Sequence, residues 1–341
     1  MQHTAIPGRM SPDQTSALSA LNPQWFAARV VAGNAGQYRV AALNGCSRGL
    51  VPYAEIQPLA GDWVAAERIN NEECVIRSIL PRHGVLTRRA AGGKGLQVLA
   101  VNVDTVCAVV SAGTDFNERR IERIHALAAG AGAGCAVIIT KTDLAADVDA
   151  LTARARVAAP GAVILPVCSV TGEGLAGLDA LVDHGETIVL LGASGAGKST
   201  LVARLTGETA VTGVVSAVTG KGKHTTSARE LFAFGAGAIL DTPGLKEIGL
   251  DGASDIAAVF PEIEALAGEC RFRDCSHDAE PGCAVTAAAA AGALDSARLA
   301  SYRALAAEEA FQRLREERGS AGAERARWKQ ISTLQKEFKR R

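Results

Sequence analysis

The run ETIVLLGASGAGKSTLV, residues 186–202, carries the densest chemistry in the chain. Gly192, Gly197, Lys198 and Ser199 fit G-x-x-x-x-G-K-[ST], with an apolar strand entering and a helix leaving. Glycines let backbone NH groups curl around phosphate oxygens, a lysine reaches the β and γ phosphates, and a hydroxyl ligates Mg2+. The candidate phosphate cradle is therefore Gly192, Ala193, Ser194, Gly195, Ala196, Gly197, Lys198, Ser199 and Thr200. Downstream, the apolar run Ala238 to Leu240 ends in Asp241-Thr242-Pro243-Gly244. A carboxylate at such a strand end holds Mg2+ through water, which is the role assigned to Asp241, and Gly244 can offer its NH to the γ-phosphate.

A base must also be read. Thr140, Lys141, Thr142 and Asp143 end the apolar run AVII. A carboxylate accepts two hydrogen bonds only from a base edge with two donors, which guanine has and adenine lacks, while the Lys141 stem can lie over the ring. A further run, VILPVCSVTGEGL, leads to Ser169 and Val170, where backbone NH groups can meet the guanine carbonyl. Together these segments specify GTP. Residues 219–229, TGKGKHTTSAR, are too polar and Gly-rich for a core and read as a mobile loop. Either Thr225 or Thr226 can supply a second Mg2+ hydroxyl. Leu245 stands after Gly244, where many GTPases carry a water-orienting Gln, so another group must place the attacking water, and His224 is the candidate.

Of eight cysteines, five are scattered: Cys46, Cys74, Cys107, Cys135 and Cys168 read as structural or incidental. The other three crowd into CRFRDCSHDAEPGC. Cys270, Cys275, His277 and Cys283 offer three thiolates and one imidazole, which fill a tetrahedral Zn2+ site with no open position, so one structural zinc per chain is expected.

Elements must hold these groups in place. The runs Trp25 to Ala32, Tyr38 to Leu43, Asp62 to Arg68 and Cys74 to Leu80 are β-prone and separated by turn signals, which predicts a small barrel or sandwich. Arg82 to Lys94 is basic with little to pack and reads as a linker or mobile loop. From Gln97 strands alternate with helices, including Glu118 to Ala129 and Leu144 to Ala158, the pattern of a mostly parallel sheet. After about residue 254 strands give way to the Cys/His knot and Ala-rich helices. The domain boundaries expected are 20–95, 96–250 and 251–341.

The whole-chain properties agree. At 341 residues the chain is long enough for two or three domains, and 48% hydrophobic residues exclude global disorder. Only 4% are aromatic, so aliphatic cores in a helix-rich α/β protein are expected. No signal peptide or membrane span is apparent, which predicts a cytoplasmic protein. Net charge is zero, yet residues 1–100 carry +4, residues 324–341 carry +5 and the middle carries −9. Basic ends of this kind suit a polyanion. In the tail, Trp328, Ile331, Leu334 and Phe338 recur at helical spacing among seven Lys and Arg, which suits an amphipathic helix and an RNA-contacting arm.

The order TKTD, CSV, GASGAGKS, a Gly-Lys-His-Thr-Thr segment and then DTPG resembles that of circularly permuted GTPases. With the N-terminal strands and the Cys/His knot, residues 20–341 resemble the small ribosomal subunit-dependent GTPases, the RsgA/YjeQ family. The resemblance implies a multidomain α/β protein: an OB-fold-like β-barrel that binds RNA, a circularly permuted P-loop GTPase domain and a C-terminal helical zinc-binding domain. It also implies GTP and GDP as ligands, Mg2+ with GTP, the small ribosomal subunit and its rRNA as partners, no membrane, and a monomer. It favours Thr226 for Mg2+ and points to His224. The family pattern has Asn where Thr140 stands, and a hydroxyl cannot offer the same amide contacts, so guanine preference rests on Asp143. Because DTPG is the last GTPase motif, it runs straight into the C-terminal domain, through which nucleotide state can pull on the zinc module. An RNA-binding scaffold with structural nucleotide and an ATP-using P-loop kinase are the alternatives.

Overall fold

The structure is a computed structural model that describes residues 6–34, 36–51, 56–89, 96–113, 116–207, 229–241, 254–278, 280–311 and 313–314. His224, Thr225, Thr226, Gly244, Leu245, the join from DTPG to the C-terminal domain and the basic tail therefore lie outside the described residues.

The chain divides into two compact units, Met1–Leu86 with Val98–Glu247, and Thr87–Gln97 with Ile248–Arg341. The first unit opens with a helix absent from the sequence reading, α1 (Pro12–Ser19). Ser11 caps it and Gln14 returns the hydrogen bond, a capping box with Pro at the first turn. The strands β1 (Phe26–Asn34), β2 (Gln37–Ala41), β3 (Arg48–Leu50), β4 (Trp63–Arg68) and β5 (Glu73–Ile79) follow. Their order is β1-β2-β3-β5-β4, and a β1–β4 pairing closes the barrel. Only β3 and β5 run parallel, as in an OB-fold. Mostly aliphatic residues fill it: Ala28, Val30, Val40, Val64, Ala66 and Ile76 pack inside with Tyr38. On the other side Trp63, Ala65 and Leu80 receive Met10, Leu18 and Trp25 from α1 and its flanks.

Arg82 to Arg89, the described part of that segment, departs from the linker reading. Leu86–Arg89, β6, pairs with Leu96–Ala100, β7, as a two-stranded sheet. Arg82 is bound at both ends of its guanidinium to the fully buried Asp62, Nε to Oδ1 at 2.7 Å and NH2 to Oδ2 at 2.6 Å. A buried carboxylate needs a paired cation, so this arginine serves the fold and is not free for a polyanion.

The rest of the first unit alternates strands and helices: β8 (Thr105–Ser111), α2 (Glu118–Gly130), β9 (Gly134–Thr140), α3 (Val148–Ala158), β10 (Val163–Pro166), β11 (Thr187–Leu191), α4 (Lys198–Thr206), β12 (Glu230–Phe234) and β13 (Gly237–Asp241). The sheet order is β10-β9-β8-β11-β13-β12, parallel except for β12. The central strands are apolar on both faces, as a sheet covered by helices requires. Ala32 of β1 pairs with Glu230 of β12, so barrel and parallel sheet share one sheet. Arg39 bridges to Glu230 beside that pair.

Polar contacts reinforce the join. Arg29, buried in β1, donates to the Pro7 carbonyl at 2.9 Å and to the Thr187 hydroxyl at 2.7 Å. Burial lowers its pKa to about 10, against the opposing charges of Asp104 and Asp62. Gln14, also fully buried, donates to the Pro81 carbonyl at 2.9 Å and to Asn102 Oδ1 at 2.8 Å.

The second unit holds α5 (Pro261–Ala267), α6 (Ala284–Ala290) and a helix from 296 to 311. Arg298 lies over the Phe260 ring at 4.2 Å and pairs with Glu262 at 2.7 Å, tying the 296–311 helix to α5. No helix among the described residues is long and apolar enough to cross a membrane.

Candidate nucleotide site and metal centre

In a parallel sheet, ligands bind beyond the carboxyl ends of the strands. Thr140 ends β9, the Cys168–Val170 loop follows β10, Gly192 follows β11 and Asp241 ends β13. The sheet thus brings TKTD, the Ser169 loop, the phosphate loop and Asp241 to one edge, in an order along the chain that differs from their order in space.

The loop after β11 has the conformation its glycines predict. Gly195 and Gly197 adopt φ of +81° and +91°, the left-handed region that glycine enters without strain. A Cβ on Gly192 would lie 2.2 Å from the Val109 carbonyl oxygen, so only glycine fits where the loop leaves the sheet. Gly197 caps α4 without a side-chain partner, leaving the first NH groups of the helix directed at the loop. Lys198 folds back over this loop, with Nζ 2.7 Å from the Gly192 carbonyl and 2.6 Å from that of Ala193. Ser199 and Thr200 are exposed in the first turn of α4, and Ala193, Ser194 and Ala196 complete the loop.

The TKTD segment is anchored to it. Thr140 is buried, and its hydroxyl lies 2.7 Å from the Ala196 carbonyl and 3.2 Å from that of Val110. Lys141 takes a left-handed φ of +56°, and its Nζ donates to the Gly195 carbonyl at 2.8 Å. Its stem therefore spans the ground between the two motifs. Thr142 and Asp143 form a short 3-10 turn in which Asp143 is exposed. Beside them, Arg204 holds the Ser169 carbonyl at 3.1 Å, and Val170 is exposed. Cys168, read from sequence as incidental, donates its thiol to Asp143 Oδ1 at 3.2 Å. Its position just ahead of Ser169 was the one sequence signal that could have marked it.

In the second unit the ligand atoms of Cys270, Cys275, His277 and Cys283 lie within 4.8 Å of one another. His277 Nδ1 is 3.5 Å from both Cys270 Sγ and Cys283 Sγ. Three elements build the cluster: Cys270 follows α5, Cys283 caps α6, and Arg303 of the 296–311 helix donates to the His277 carbonyl at 2.8 Å. His277 has a φ of +57°, a cost for a non-glycine residue that turns its ring inward. Glu280 braces the loop by accepting from the Ser276 hydroxyl and from the Ser276 and Asp278 amides, chiefly the hydroxyl, which draws its carboxyl down to about 2. Burial opposes ionisation of Cys283, but hydrogen bonds from Thr286 and its neighbours outweigh it and lower the thiol pKa. Three sulfurs and one imidazole nitrogen converging at this range fit a metal ion of tetrahedral preference.

Comparison with known proteins agrees. A protein of Opitutus terrae called "Small ribosomal subunit biogenesis GTPase RsgA" is 45% identical over 289 residues, covering 80% of this chain and 78% of that protein. The crystal structure of YjeQ from Thermotoga maritima matches 82% of this chain and 96% of its own, with a TM-score of 0.61 and 23% identity. That of YloQ, described as a circularly permuted GTPase, matches 83% and 94%, with a TM-score of 0.59 and 22% identity. The family model for RsgA GTPase matches residues 79–251, the span in which all the nucleotide motifs fall. The chain belongs to the RsgA GTPase family.

Proposed function

We propose that this protein hydrolyses GTP to GDP and phosphate as a late maturation factor of the small ribosomal subunit, which stimulates the hydrolysis. The observation that carries this reading is the meeting of TKTD, the Ser169 loop, GASGAGKS and Asp241 at one sheet edge. In it, the NH groups of Gly192 to Thr200 cradle the phosphates, Lys198 neutralises them, and Ser199, Thr226 and Asp241 hold Mg2+. Asp143 accepts from guanine, Lys141 lies against the ring, and the Ser169 and Val170 amides meet the guanine carbonyl. His224 places the attacking water. Mg2+ with GTP supplies charge neutralisation at the phosphates. The names of the relatives support the small subunit as partner.

The Cys270, Cys275, His277 and Cys283 cluster suits one structural Zn2+, since four protein ligands leave no position for substrate. We assign the barrel and the basic tail to rRNA contact. We place the protein in the cytoplasm as a monomer, and divide it at residues 95 and 250 into barrel, GTPase and zinc domains.

Sedimentation with purified small subunits, in GDP and in a non-hydrolysable GTP analogue, tests the reading together with steady-state turnover. Nucleotide-dependent binding and subunit-stimulated turnover are expected. Binding without turnover would favour an RNA-binding scaffold with structural nucleotide. Equal competition by ATP would favour a P-loop kinase.

A further inference from the structure

Most scattered thiols approach main-chain carbonyls, and Cys46 and Cys74 also meet each other. Cys46, Cys74 and Cys135 approach backbone carbonyls at 3.5–4.0 Å, and burial pushes the Cys74 and Cys135 thiols up to about 12. Cys168 differs, because outside the metal cluster it is the one thiol among the described residues whose hydrogen bond reaches a carboxylate.

Its own placement is firm. Cys168 is 1% exposed. Val167 donates to the Ile139 carbonyl at 2.8 Å, Cys168 to that of Glu173 at 2.9 Å, and Gly172 back to that of Cys168 at 2.8 Å. The Thr171 amide lies 3.5 Å from Sγ and donates to it, which leaves the S–H free to point at Asp143. Asp143 is the opposite case, exposed in a three-residue turn, and among the described residues Cys168 is its one side-chain hydrogen-bond partner. An exposed aspartate samples several rotamers, and each rotamer that turns away from the base is unproductive. A carboxylate has about four acceptor positions, so one can be held by a thiol while others receive the base.

We propose that Cys168 is a positioning residue for base recognition, its thiol holding the Asp143 carboxylate in the orientation that meets a guanine edge. The inference rests on the reading of Asp143 as the guanine-binding residue. Thiols are weak donors, but an ionised acceptor strengthens the bond, and a contact of this kind corresponds to about 3–10-fold in affinity.

The test uses the full-length protein and equilibrium affinities for GDP and ADP. Cys168→Ala should weaken GDP about 3–10-fold and leave ADP unchanged. Cys168→Ser keeps a donor at the same place and should stay within about twofold of the parent for GDP. In an Asp143→Ala background, adding Cys168→Ala should cost nothing further. Loss of GDP and ADP affinity in equal measure, an unchanged GDP affinity, failure of serine to rescue, or an additive loss in the Asp143→Ala background would each overturn the proposal. If Asp143→Ala alone keeps the parent's preference for GDP over ADP, the guanine reading falls and the role of Cys168 with it. If Asp143→Ala loses that preference while Cys168→Ala behaves as the parent, only the role of the thiol falls.

Discussion

The Thr140 hydroxyl, at the end of β9, lies 2.7 Å from the Ala196 carbonyl in the phosphate loop. One side chain thus links TKTD to GASGAGKS, the segments proposed to read the base and to hold the phosphates. Thr140 stands where the family resemblance leads one to expect Asn, and its short hydroxyl makes this link without an amide. A Cβ on Gly197 would meet Thr140 Oγ1 at 3.4 Å, an ordinary contact, so glycine is required there for its φ of +91° and not for space.

Thr140→Val keeps the shape of the side chain and removes the donor. It leaves a main-chain acceptor of the buried Ala196 without this partner, which typically costs about 1–3 kcal/mol. Urea unfolding should show a loss of that size, and GDP titration should show weaker binding, because the loop is no longer held to β9. Unchanged values of both would mean the link is incidental.

Metal removal should act on the second unit. Binding of structural zinc is folding free energy for a small module, so chelation, or Cys275→Ala, should loosen residues 254–311 and expose them to protease while GDP binding by the first unit persists. Metal analysis of the reduced protein should find one zinc per chain. Clearly less than one, with the second unit still protease-resistant, would count against a structural metal.

His224 lies outside the described residues, and the prediction for it stands on Leu245 and the motif order. A group that only places water acts in the transition state and can be lost without loss of affinity. His224→Ala should leave GTP binding within a few fold and reduce subunit-stimulated turnover by about 10–100-fold or more. The stimulated rate should suffer more than the basal rate. Normal stimulated turnover would return the role to Thr225, Thr226, the backbone or the RNA.

Acid should weaken the first unit through Asp104. Burial opposes its ionisation, but His83 Nε2 at 3.1 Å, the Thr187 amide at 2.7 Å and the charge of Arg29 outweigh it and hold the carboxyl below its usual 3.8. A depressed carboxylate stabilises the fold above its unfolded pKa, and the contribution disappears as pH falls through the folded value. Asp104→Asn should therefore lower stability at neutral pH and flatten the acid limb of the stability curve below 3.8. Parallel curves for the two proteins would show that Asp104 is not the titrating group.

The readable parts of this protein were those in which chemistry depends on neighbours in sequence. The glycines of GASGAGKS, the strand before them and the tight CRFRDCSHDAEPGC spacing each state their geometry locally. The unreadable parts depend on partners far along the chain. Arg29 reaches Thr187 across 158 positions, and Gln14 reaches Asn102 across 88. A glutamine in a short polar helix gives no sign that it will be fully buried. Strand β12 was missed although it forms a tight hairpin with β13, Phe234 opposite Gly237; only its junction with β1, Ala32 opposite Glu230, depends on a distant partner. Arg82 looked free because Asp62 lies 20 residues earlier.

Permutation reorders this sheet in time as well as in space. Synthesis runs from the N-terminus, and domains tend to fold as they emerge. The barrel strands β1–β5 come first, then β8, β9 and β10 with the TKTD segment. In the finished sheet these two groups do not touch as neighbours, because β11, β13 and β12 stand between β8 and β1. Among the described residues the last three strands made are thus the keystone, inserted between two groups already synthesised. Until they arrive, β8 presents an unpaired edge, and Thr140 has no Ala196 carbonyl to hold. The nascent protein cannot link its phosphate loop to β9 until β11 and Ala196 have been made, so the first of these three strands sets the earliest moment at which that link can form.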